Sequence, residues 1–420
     1  MTTVPATSAA PAASALRAAR RRDRRVYTRS HPVLFALLAA TRRRAVTRFG
    51  SAVLVHGTEP YRRALTRVPL DRAAAGTTGG AARELSTGDT LFDQEGTGHR
   101  ATRRAVAGDL GAAGVERLRP VWQDVLARGL APLGAGRDVD LVPLARELAG
   151  ATVRALLGAT GDPGSIASAA AEAAAAAVRD HLPGPRPPGS TRAAAAATAR
   201  LETLLAPASG EAREAGGTDA GATGAGATEA GATEAGATEA GATEAGATDP
   251  ALRAVLAVAA VNTTVSALPR AAAWCADAGL WEQAADDRLR PALVDELLRV
   301  IAPSPLLPRV AAADADLDGC PVRAGDRLVL VARHAARAHD QPPDARHPAT
   351  AAVAQLVFGA GAHACPGARL ARAQLDDALA ALAAHRPAVL RARVDRGAAL
   401  PGWRCLTVRA ADARRSPEDR

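Results

Sequence analysis

A chain of 420 residues in which 48% are hydrophobic can bury a large core, either as two domains or as one large helical domain. All 52 basic residues are arginine, and they outnumber the 43 acidic residues. Because these arginines are spread along the chain and form no recognisable module, we expect no nucleic-acid partner; a GC-rich coding bias accounts for them better.

The cysteines indicate a reducing compartment. They stand at positions 275, 320, 365 and 405, without C-x-x-C spacing and without a secretory leader before them. The first apolar run, Val33–Ala40, is too short to cross a bilayer. We therefore predict a cytoplasmic protein with no membrane partner, and an export or transit signal is the alternative.

The chain begins with a basic segment. Residues 1–25 are rich in Pro, Ala and Ser and then in Arg, which predicts a disordered tail. One domain is expected over residues 26–413. Its first part, up to Leu91, contains a predicted short strand at Ala52–Val55 with helical stretches around it.

A series of helices is predicted next. His99 and Arg103 lie four residues apart and share one helical face, a spacing that by itself mostly means a surface pair. Further helical patterns occur at Val115–Ala131, Val142–Leu157, Ser165–His181 and Thr191–Ala206, with a Pro/Gly-rich break at 183–189.

A low-complexity insertion interrupts the helical series at residues 210–249. The repeated A-G-A-T-E pentad of 215–248 cannot make a hydrophobic face, so we interpret it as a flexible insertion within the domain.

Asp249 and Pro250 are suited to begin a helix, as an N-cap acid followed by Pro at the first helical position. The apolar segment that follows predicts a buried central helix to Leu268, and Pro269 is expected to kink or end it. A membrane span is the rival interpretation, although Arg253, Asn262 and two threonines interrupt a barely sufficient length.

A second helix beginning at Pro291 carries the pair Glu296 and Arg299. Positions i and i+3 share a face, so the carboxylate can hold the guanidinium while the latter also binds backbone carbonyls; an isolated E-x-x-R is by default a surface salt bridge. Short strands around turns at Gly319 and Ala324–Asp326 come next, and 401–409 has strand character.

The stretch Phe358–Leu382 places Cys365 in a glycine-rich loop that opens into a helix. The free N–H groups and the positive end of that helix favour a thiolate, and Gly359 and Gly367 allow backbone donors close to the sulfur. His363 could direct a donor at the anionic edge of a flat macrocycle. A buried structural cysteine is the alternative.

The pattern F-G-x-G-x-H-x-C-x-G, from Phe358 to Gly367, resembles the haem-binding signature of the cytochrome P-450 family in its bacterial form. The resemblance implies a mainly α fold, a large helical domain with small β-sheets. It also implies haem b (iron protoporphyrin IX) with Cys365 as the thiolate ligand of the iron. By the same resemblance His99, Arg103, Arg309 and His363 anchor the haem propionates, and Glu296 and Arg299 brace the loop.

The central helix departs from the family pattern. Where the family has A-G-x-(D/E)-T-T, this chain has AAVNTT, so Thr263 takes the place of the threonine that relays protons and Asn262 replaces the acid. An amide orients a water but cannot shuttle a proton as a carboxylate does. An ordinary helix threonine that bonds back to a carbonyl is the alternative for Thr263.

The resemblance implies a monooxygenase that inserts one oxygen atom from O2 into a small lipophilic substrate. No flavin or nicotinamide motif is present, so electrons would come from a separate ferredoxin-type donor, docked on a basic face with Arg369 and Arg372.

The insertion also implies that the helices roofing the substrate pocket are shortened. Asn262 and that shortening favour the alternative, a haem-thiolate protein that uses peroxide or is an inactive partner. A helical scaffold that binds nothing is the second rival.

Overall fold

The computed structural model describes residues 9–84, 91–181, 190–207 and 249–411. The chain is mainly α-helical with small sheets, as the resemblance implied. The described helices, in chain order, are α1 (Ala9–Ser30), α2 (Pro32–Thr41), α3 (Thr58–Thr66), α4 (Thr78–Glu84), α5 (Gly96–Leu110), α6 (Ala112–Gly134), α7 (Leu141–Leu157), α8 (Pro163–His181), α9 (Ser190–Leu204), α10 (Pro250–Ala278), α11 (Trp281–Ala285), α12 (Arg290–Ile301), α13 (Ala332–Ala335), α14 (Ala351–Ala354) and α15 (Ala368–Ala383).

The strands form three sheets. They are β1 (Val46–Phe49), β2 (Ala52–Val55), β3 (Leu70–Asp71), β4 (Val139–Asp140), β5 (Leu307–Ala311), β6 (Ala315–Leu317), β7 (Cys320–Val322), β8 (Arg327–Leu330), β9 (Ala388–Asp395) and β10 (Gly402–Arg409). A five-stranded sheet has the order β1-β2-β8-β5-β3, in which only β2 and β8 pair in parallel. An antiparallel sheet has the order β4-β10-β9, and β6 pairs with β7.

The predicted elements of the first half are largely present. Strand β2 has the predicted bounds, and α6, α7, α8 and α9 occupy the four segments with helical periodicity. Helices α8 and α9, which come just before the repeat insertion, are both present and contact the central helix. The repeat insertion at 210–249 lies outside the described residues except for Asp249.

The prediction of a disordered tail over residues 1–25 is wrong for residues 9–25, which belong to α1. Ala19 and Val26 of this helix are buried, and the buried Asp23 side chain accepts hydrogen bonds from Arg270 of α10 at 3.0 and 2.6 Å. The basic composition of residues 1–25 suggested a solvated segment. The contact between Asp23 and Arg270 instead helps to hold α1 against the core.

Helix α10 forms the centre of the structure. It begins as predicted, since the Asp249 carboxylate accepts a hydrogen bond from the Ala251 N–H at 2.9 Å. It then continues through Pro269 to Ala278, so the expected early end is wrong. Burial of Ala271–Cys275 and the ion pair between Arg270 and Asp23 stabilise the turns that follow the proline.

Among the described helices, α10 alone is long and apolar enough to cross a membrane by length and composition. However, 56% of its apolar window is buried inside the protein, in contact with α1, α7, α8 and α15. This environment is that of a core helix, as predicted from the polar residues that interrupt it.

Candidate cofactor site

The cysteine loop has the conformation that its glycines permit. Gly359 and Gly361 have φ values of 80° and 73°, a left-handed region that residues with a side chain rarely adopt. The Cys365 N–H donates to the Phe358 carbonyl at 2.7 Å, which closes the loop. Helix α15 then begins at Ala368, with Gly367 as its N-cap residue.

Cys365 is exposed to solvent, and its thiol has both neighbouring protein atoms and nearby basic groups around it. Surrounding protein raises its pKa, whereas a hydrogen bond from the Gly367 N–H and the charges of Arg103 and Arg372 act to lower it. The residue is nevertheless exposed to solvent. Burial thus outweighs the nearby donors and raises the pKa of the thiol in the ligand-free chain, while the residue remains accessible from solvent.

Two arginines hold the loop in place. Arg103 of α5 donates to the Ala364 carbonyl at 2.6 Å, so this side chain binds the loop backbone next to the cysteine. The Arg372 guanidinium lies 4.5 Å from the centre of the Phe358 ring and pairs with Asp295 at 2.6 Å. The aromatic residue of the motif is therefore fixed against α15.

His99 and His363 come together as a stacked pair. Their ring centroids are 3.8 Å apart with an interplanar angle of 25°. His99 is buried, and its Nε2 atom has no hydrogen-bond partner among the described residues. Burial, and then nearby arginines, lower the pKa of His99.

Arg309 and Arg72 extend this group of basic side chains. Arg309 donates through Nη1 to the Thr78 hydroxyl at 3.0 Å and to the Pro308 carbonyl, but its Nε has no hydrogen-bond partner in the described chain. Burial, followed by repulsion from Arg72, lowers the pKa of Arg309 to about 10. Arg72 is itself buried and forms an ion pair with the exposed Glu95 at 3.4 Å.

Five basic groups thus converge beside the cysteine loop, and we call them the cationic cluster: Arg72, His99, Arg103, Arg309 and His363. Burial is the main cause that lowers the pKa of His363 to about 3, and the other four members of the cluster add to this effect. Three arginines with unused donor atoms beside them indicate a site for anions, and carboxylates would satisfy these donors. Arg72 was not singled out in the sequence, where nothing distinguishes it from the other arginines.

Helix α10 places Asn262 and Thr263 on different faces. The Asn262 amide donates to the carbonyls of Val258 at 2.8 Å and of Ala170 in α8 at 3.3 Å. The Thr263 hydroxyl donates to the carbonyls of Ala259 at 2.8 Å and Ala260 at 3.4 Å. This is the back-bonded state that was the alternative for Thr263, and the hydroxyl must rotate to serve another acceptor.

A cavity of about 690 Å³ adjoins the Asn262 face of α10. Helices α7, α8, α9 and α10 and the loop between β9 and β10 line it, mainly with alanine and valine, and it is open to solvent. Neither Thr263 nor Cys365 is part of this lining. Solvent therefore reaches α10 at the face that carries Asn262.

The Glu296–Arg299 pair is buried and not on the surface, since each side chain is 1% exposed. The guanidinium pairs with both carboxylate oxygens at 2.8 and 2.5 Å and donates to the backbone carbonyls of Arg337 and Gln341 at 3.0 and 3.3 Å. The same carboxylate accepts from the Ala349 N–H at 2.9 Å. The pair thus connects α12 to the segment that leads to the cysteine loop.

Comparison with known proteins agrees with this geometry. The Cytochrome P450 family model matches residues 288–384, which include the Glu296–Arg299 pair and the cysteine loop. The 20-oxo-5-O-mycaminosyltylactone 23-monooxygenase of Streptomyces fradiae is 41% identical over 103 residues. That match covers 24% of this chain and 24% of the relative, so the chain matches about a quarter of the relative's length.

Solved structures match far more of the chain. CYP109E1 of Bacillus megaterium, solved in complex with testosterone, gives a TM-score of 0.69 at 18% identity and covers 92% of this chain and 99% of that one. Ligand-free CYP164A2 of Mycobacterium smegmatis gives a TM-score of 0.68 at 22% identity, with coverage of 94% and 100%. These likenesses establish the fold.

A loop with one cysteine that opens into a helix is similar to the arrangement that holds the iron ligand in haem-thiolate proteins. Residues 288–384 of this chain thus resemble the cytochrome P450 family, and the whole chain has the fold of the solved cytochrome P450 structures.

Haem, iron protoporphyrin IX, is the cofactor of this family. The residues present fit it on three observations. The Cys365 thiol is accessible at the beginning of α15. The buried His99 Nε2 and Arg309 Nε atoms lack partners, as donors to propionates would in the absence of these anions. Positive charge in the cationic cluster exceeds its counter-charge.

Proposed function

We propose that the chain is a haem-thiolate monooxygenase that inserts one oxygen atom from O2 into a small lipophilic substrate and releases the other as water. The observation that carries this proposal is the accessible Cys365 thiol beside a buried cationic cluster with unused donors. The proposed catalytic domain spans residues 26–413, to which α1 adds its docked residues.

When bound, haem supplies the reductive activation of O2, and the chain's own residues control its position and surroundings. Cys365 would ligate the iron, with the Gly367 N–H as a donor to the sulfur. His99, Arg103, Arg309 and His363 would bind the propionates together with Arg72. Phe358, Gly359 and Gly367 would shape the loop, and Glu296 with Arg299 would hold its approach rigid.

Thr263 and Asn262 would manage protons on the distal side. The Thr263 hydroxyl can exchange its bond to the Ala259 carbonyl for a bond to oxygen or water. Asn262 lines the solvent-filled side of α10, so protons can approach this turn of the helix through water. The amide holds such a water but does not itself carry the proton.

The electron donor in this proposal is a separate ferredoxin. Arg369 is exposed one turn after the cysteine, whereas Arg372 is engaged with Asp295 and Phe358. Arg369 is therefore the residue of the two that is free to meet an acidic partner, and salt should weaken the encounter. We place this reaction in the cytoplasm, where reduced thiols persist.

The second candidate is a haem-thiolate protein without O2-driven monooxygenation. It is favoured by the amide at position 262 and by the inward hydrogen bonds of Thr263. Such a protein would use peroxide directly or would act as an inactive partner.

Spectroscopy of the reconstituted chain tests the first step. Protein that binds haem through Cys365 should give a reduced carbon monoxide complex with the red-shifted Soret band of a thiolate donor. Cys365→Ser should lose that band, whereas Cys320→Ser, at another partly exposed cysteine, should keep it. A colourless protein, or one with an unshifted band, would refute the proposal.

Turnover then separates the two candidates. Products that require O2, a reductase and a ferredoxin support the monooxygenase. Products formed only with peroxide, or none with any lipophilic compound that changes the iron spin state, support the second candidate.

A further inference from the structure

Helix α2 has an apolar outer face. Its inner residues Leu34, Phe35 and Leu38 pack against Leu54 of β2 and the end of β8. Its outer face, which we call the α2 patch, consists of Val33, Ala36, Leu37 and Ala40, all exposed. Val33 is 82% exposed and Leu37 is 44% exposed. A surface helix normally carries polar residues on its outer face, but between Pro32 and Ala40 there are none.

Phe49 lies on the same side of the sheet as α2. It pairs with Ala52, and Thr47 pairs with Leu54, so the two-residue alternation of the strands directs Phe49 and Leu54 to one face. Leu54 is the residue that contacts α2, and Phe49 is 48% exposed at the end of the edge strand β1. The apolar surface therefore includes an aromatic side chain.

Unpaired arginines flank the α2 patch. Arg29 precedes the helix and Arg42, Arg43 and Arg44 follow it; all four are exposed, and none of them forms a side-chain ion pair within the described part of the chain. Residues 1–57 as a whole contain eleven arginines and one acidic residue, Asp23, which is buried against Arg270. The surroundings of the patch are thus strongly positive.

We propose that the α2 patch docks on an anionic lipid surface, with the helix lying in the plane of the interface. At a rise of about 1.5 Å per residue, α2 is roughly half as long as a bilayer core is thick, so it would lie on the membrane without crossing it. Apolar side chains would enter the acyl region while arginines pair with lipid phosphates. This differs from the absence of a membrane partner expected from the sequence.

The same residues argue against a second copy of this chain as the occupant. An isologous contact through the α2 patch would bring two sets of the flanking arginines together, and like charges would oppose it. The patch also offers no polar group to fix the register of a protein partner, whereas a fluid apolar phase requires none.

Vesicle binding tests the proposal with the full-length, haem-reconstituted protein. Vesicles of phosphatidylcholine alone are compared with an equal mixture of phosphatidylcholine and phosphatidylglycerol in a flotation assay. The protein should float with the mixed vesicles and not with the neutral ones, and added salt should weaken binding.

Three variants separate insertion from general charge attraction. Leu37→Glu should reduce binding at least tenfold, whereas Leu390→Glu, which makes the same charge change at an exposed leucine of β9, should leave it within twofold. Replacement of Arg42, Arg43 and Arg44 by Gln should weaken binding by about fivefold for each arginine removed. Unchanged circular dichroism and carbon monoxide spectra control for folding.

Three outcomes would overturn the proposal. The first is a failure of the wild-type chain to float with anionic vesicles at low salt. The second is equal binding of the Leu37→Glu and Leu390→Glu variants. The third is a vesicle-free dimer that Leu37→Glu converts to monomer, which would assign the patch to a second copy.

Discussion

At the scale of single residues, Arg309 is a partly buried arginine whose Nε atom is buried and whose side chain forms no ion pair among the described residues. Arg309 keeps a free Nε, and its pKa falls to about 10 because burial and Arg72 disfavour its charged form. Such a residue lowers the stability of the ligand-free folded state. It strengthens the binding of an anion, because the anion supplies the missing partner. The proposed binding of an anion would therefore account for this residue better than its contribution to stability does.

Arg309→Met should therefore have opposite effects on folding and on haem binding. Removing an unpaired buried charge should raise the free energy of unfolding of the haem-free chain by about 1 kcal/mol, as measured in urea. Loss of one charge-assisted hydrogen bond should weaken haem binding by about tenfold or more. Arg309→Lys, which keeps the charge, is the control; a fall in both quantities for Met would contradict this account.

The histidine stack makes the haem-free protein sensitive to acid. The pKa of His363 is about 3 in the folded chain and near its ordinary value of 6.5 in the unfolded chain, so between these pH values the unfolded state binds more protons. Stability should be complete above pH 6.5 and should fall as the pH decreases towards 3. Thermal melting of the His363→Gln variant should show a shallower decline, and bound haem should reduce the difference. An identical pH profile for variant and wild type would exclude His363 as the cause.

At the scale of single elements, α10 is a core helix that carries the proposed proton site at Asn262 and Thr263. Its N-cap and its buried character follow from the sequence, because Asp249 and Pro250 mark its beginning and its apolar residues cover the full circumference. Its continuation past Pro269 does not, because the residues that stabilise the later turns, Asp23 and the segment at Pro401, are distant in the sequence.

Asn262→Asp should raise O2-driven turnover if proton delivery limits it. A carboxylate at this position can relay protons from the adjoining cavity, whereas the amide cannot. The change also removes the donor to the Val258 and Ala170 carbonyls, at a cost of about 1 kcal/mol in stability. Peroxide-driven turnover and the Asn262→Ala variant serve as controls. Equal O2-driven rates for Asn and Asp would show that protons arrive by another route.

The buried Glu296–Arg299 pair connects α12 to the segment that leads to the cysteine loop. The motif predicted that the two side chains would pair, but by itself it did not predict that the pair would be buried. Glu296→Ala should lower the free energy of unfolding by about 3–5 kcal/mol, because Arg299 would remain buried without its partner. Glu59→Ala, in the exposed pair with Arg62, should change it by less than about 1 kcal/mol. Urea denaturation measures both, and similar values for the two variants would mean that the buried pair is not a brace.

At the scale of the whole molecule, local motifs predict the structure near Cys365 better than they predict the packing of distant segments. Cys365, His363, the Glu296–Arg299 pair and the helix after the cysteine were all predictable, because each depends on residues a few positions apart. The cationic cluster was only partly predictable, since Arg72 joins it through the fold and has no local signal. The docking of α1 was missed for the same reason, because its basic composition resembles that of a solvated tail.

A buried carboxylate is a central contact between α1 and the rest of the molecule. Asp23 pairs with Arg270 at 2.6 Å and with Arg333 at 3.1 Å, and both arginines lie on the Tyr27 ring of the same helix. Asp23→Asn would leave two largely buried guanidinium groups without a counter-charge, and it should lower the free energy of unfolding by about 3–5 kcal/mol.

The matched control for Asp23 is Asp277, which pairs with the more exposed Arg22 of the same helix. Asp277→Asn should cost less than Asp23→Asn, because Arg22 keeps part of its contact with solvent and only one guanidinium group loses its partner. Denaturant unfolding followed by circular dichroism measures both variants. If Asp23→Asn were as mild as Asp277→Asn, α1 would be an appendage that the fold tolerates. If it destabilises the whole cooperative transition, residues 9–30 are part of the domain, and the folding unit begins well before residue 26.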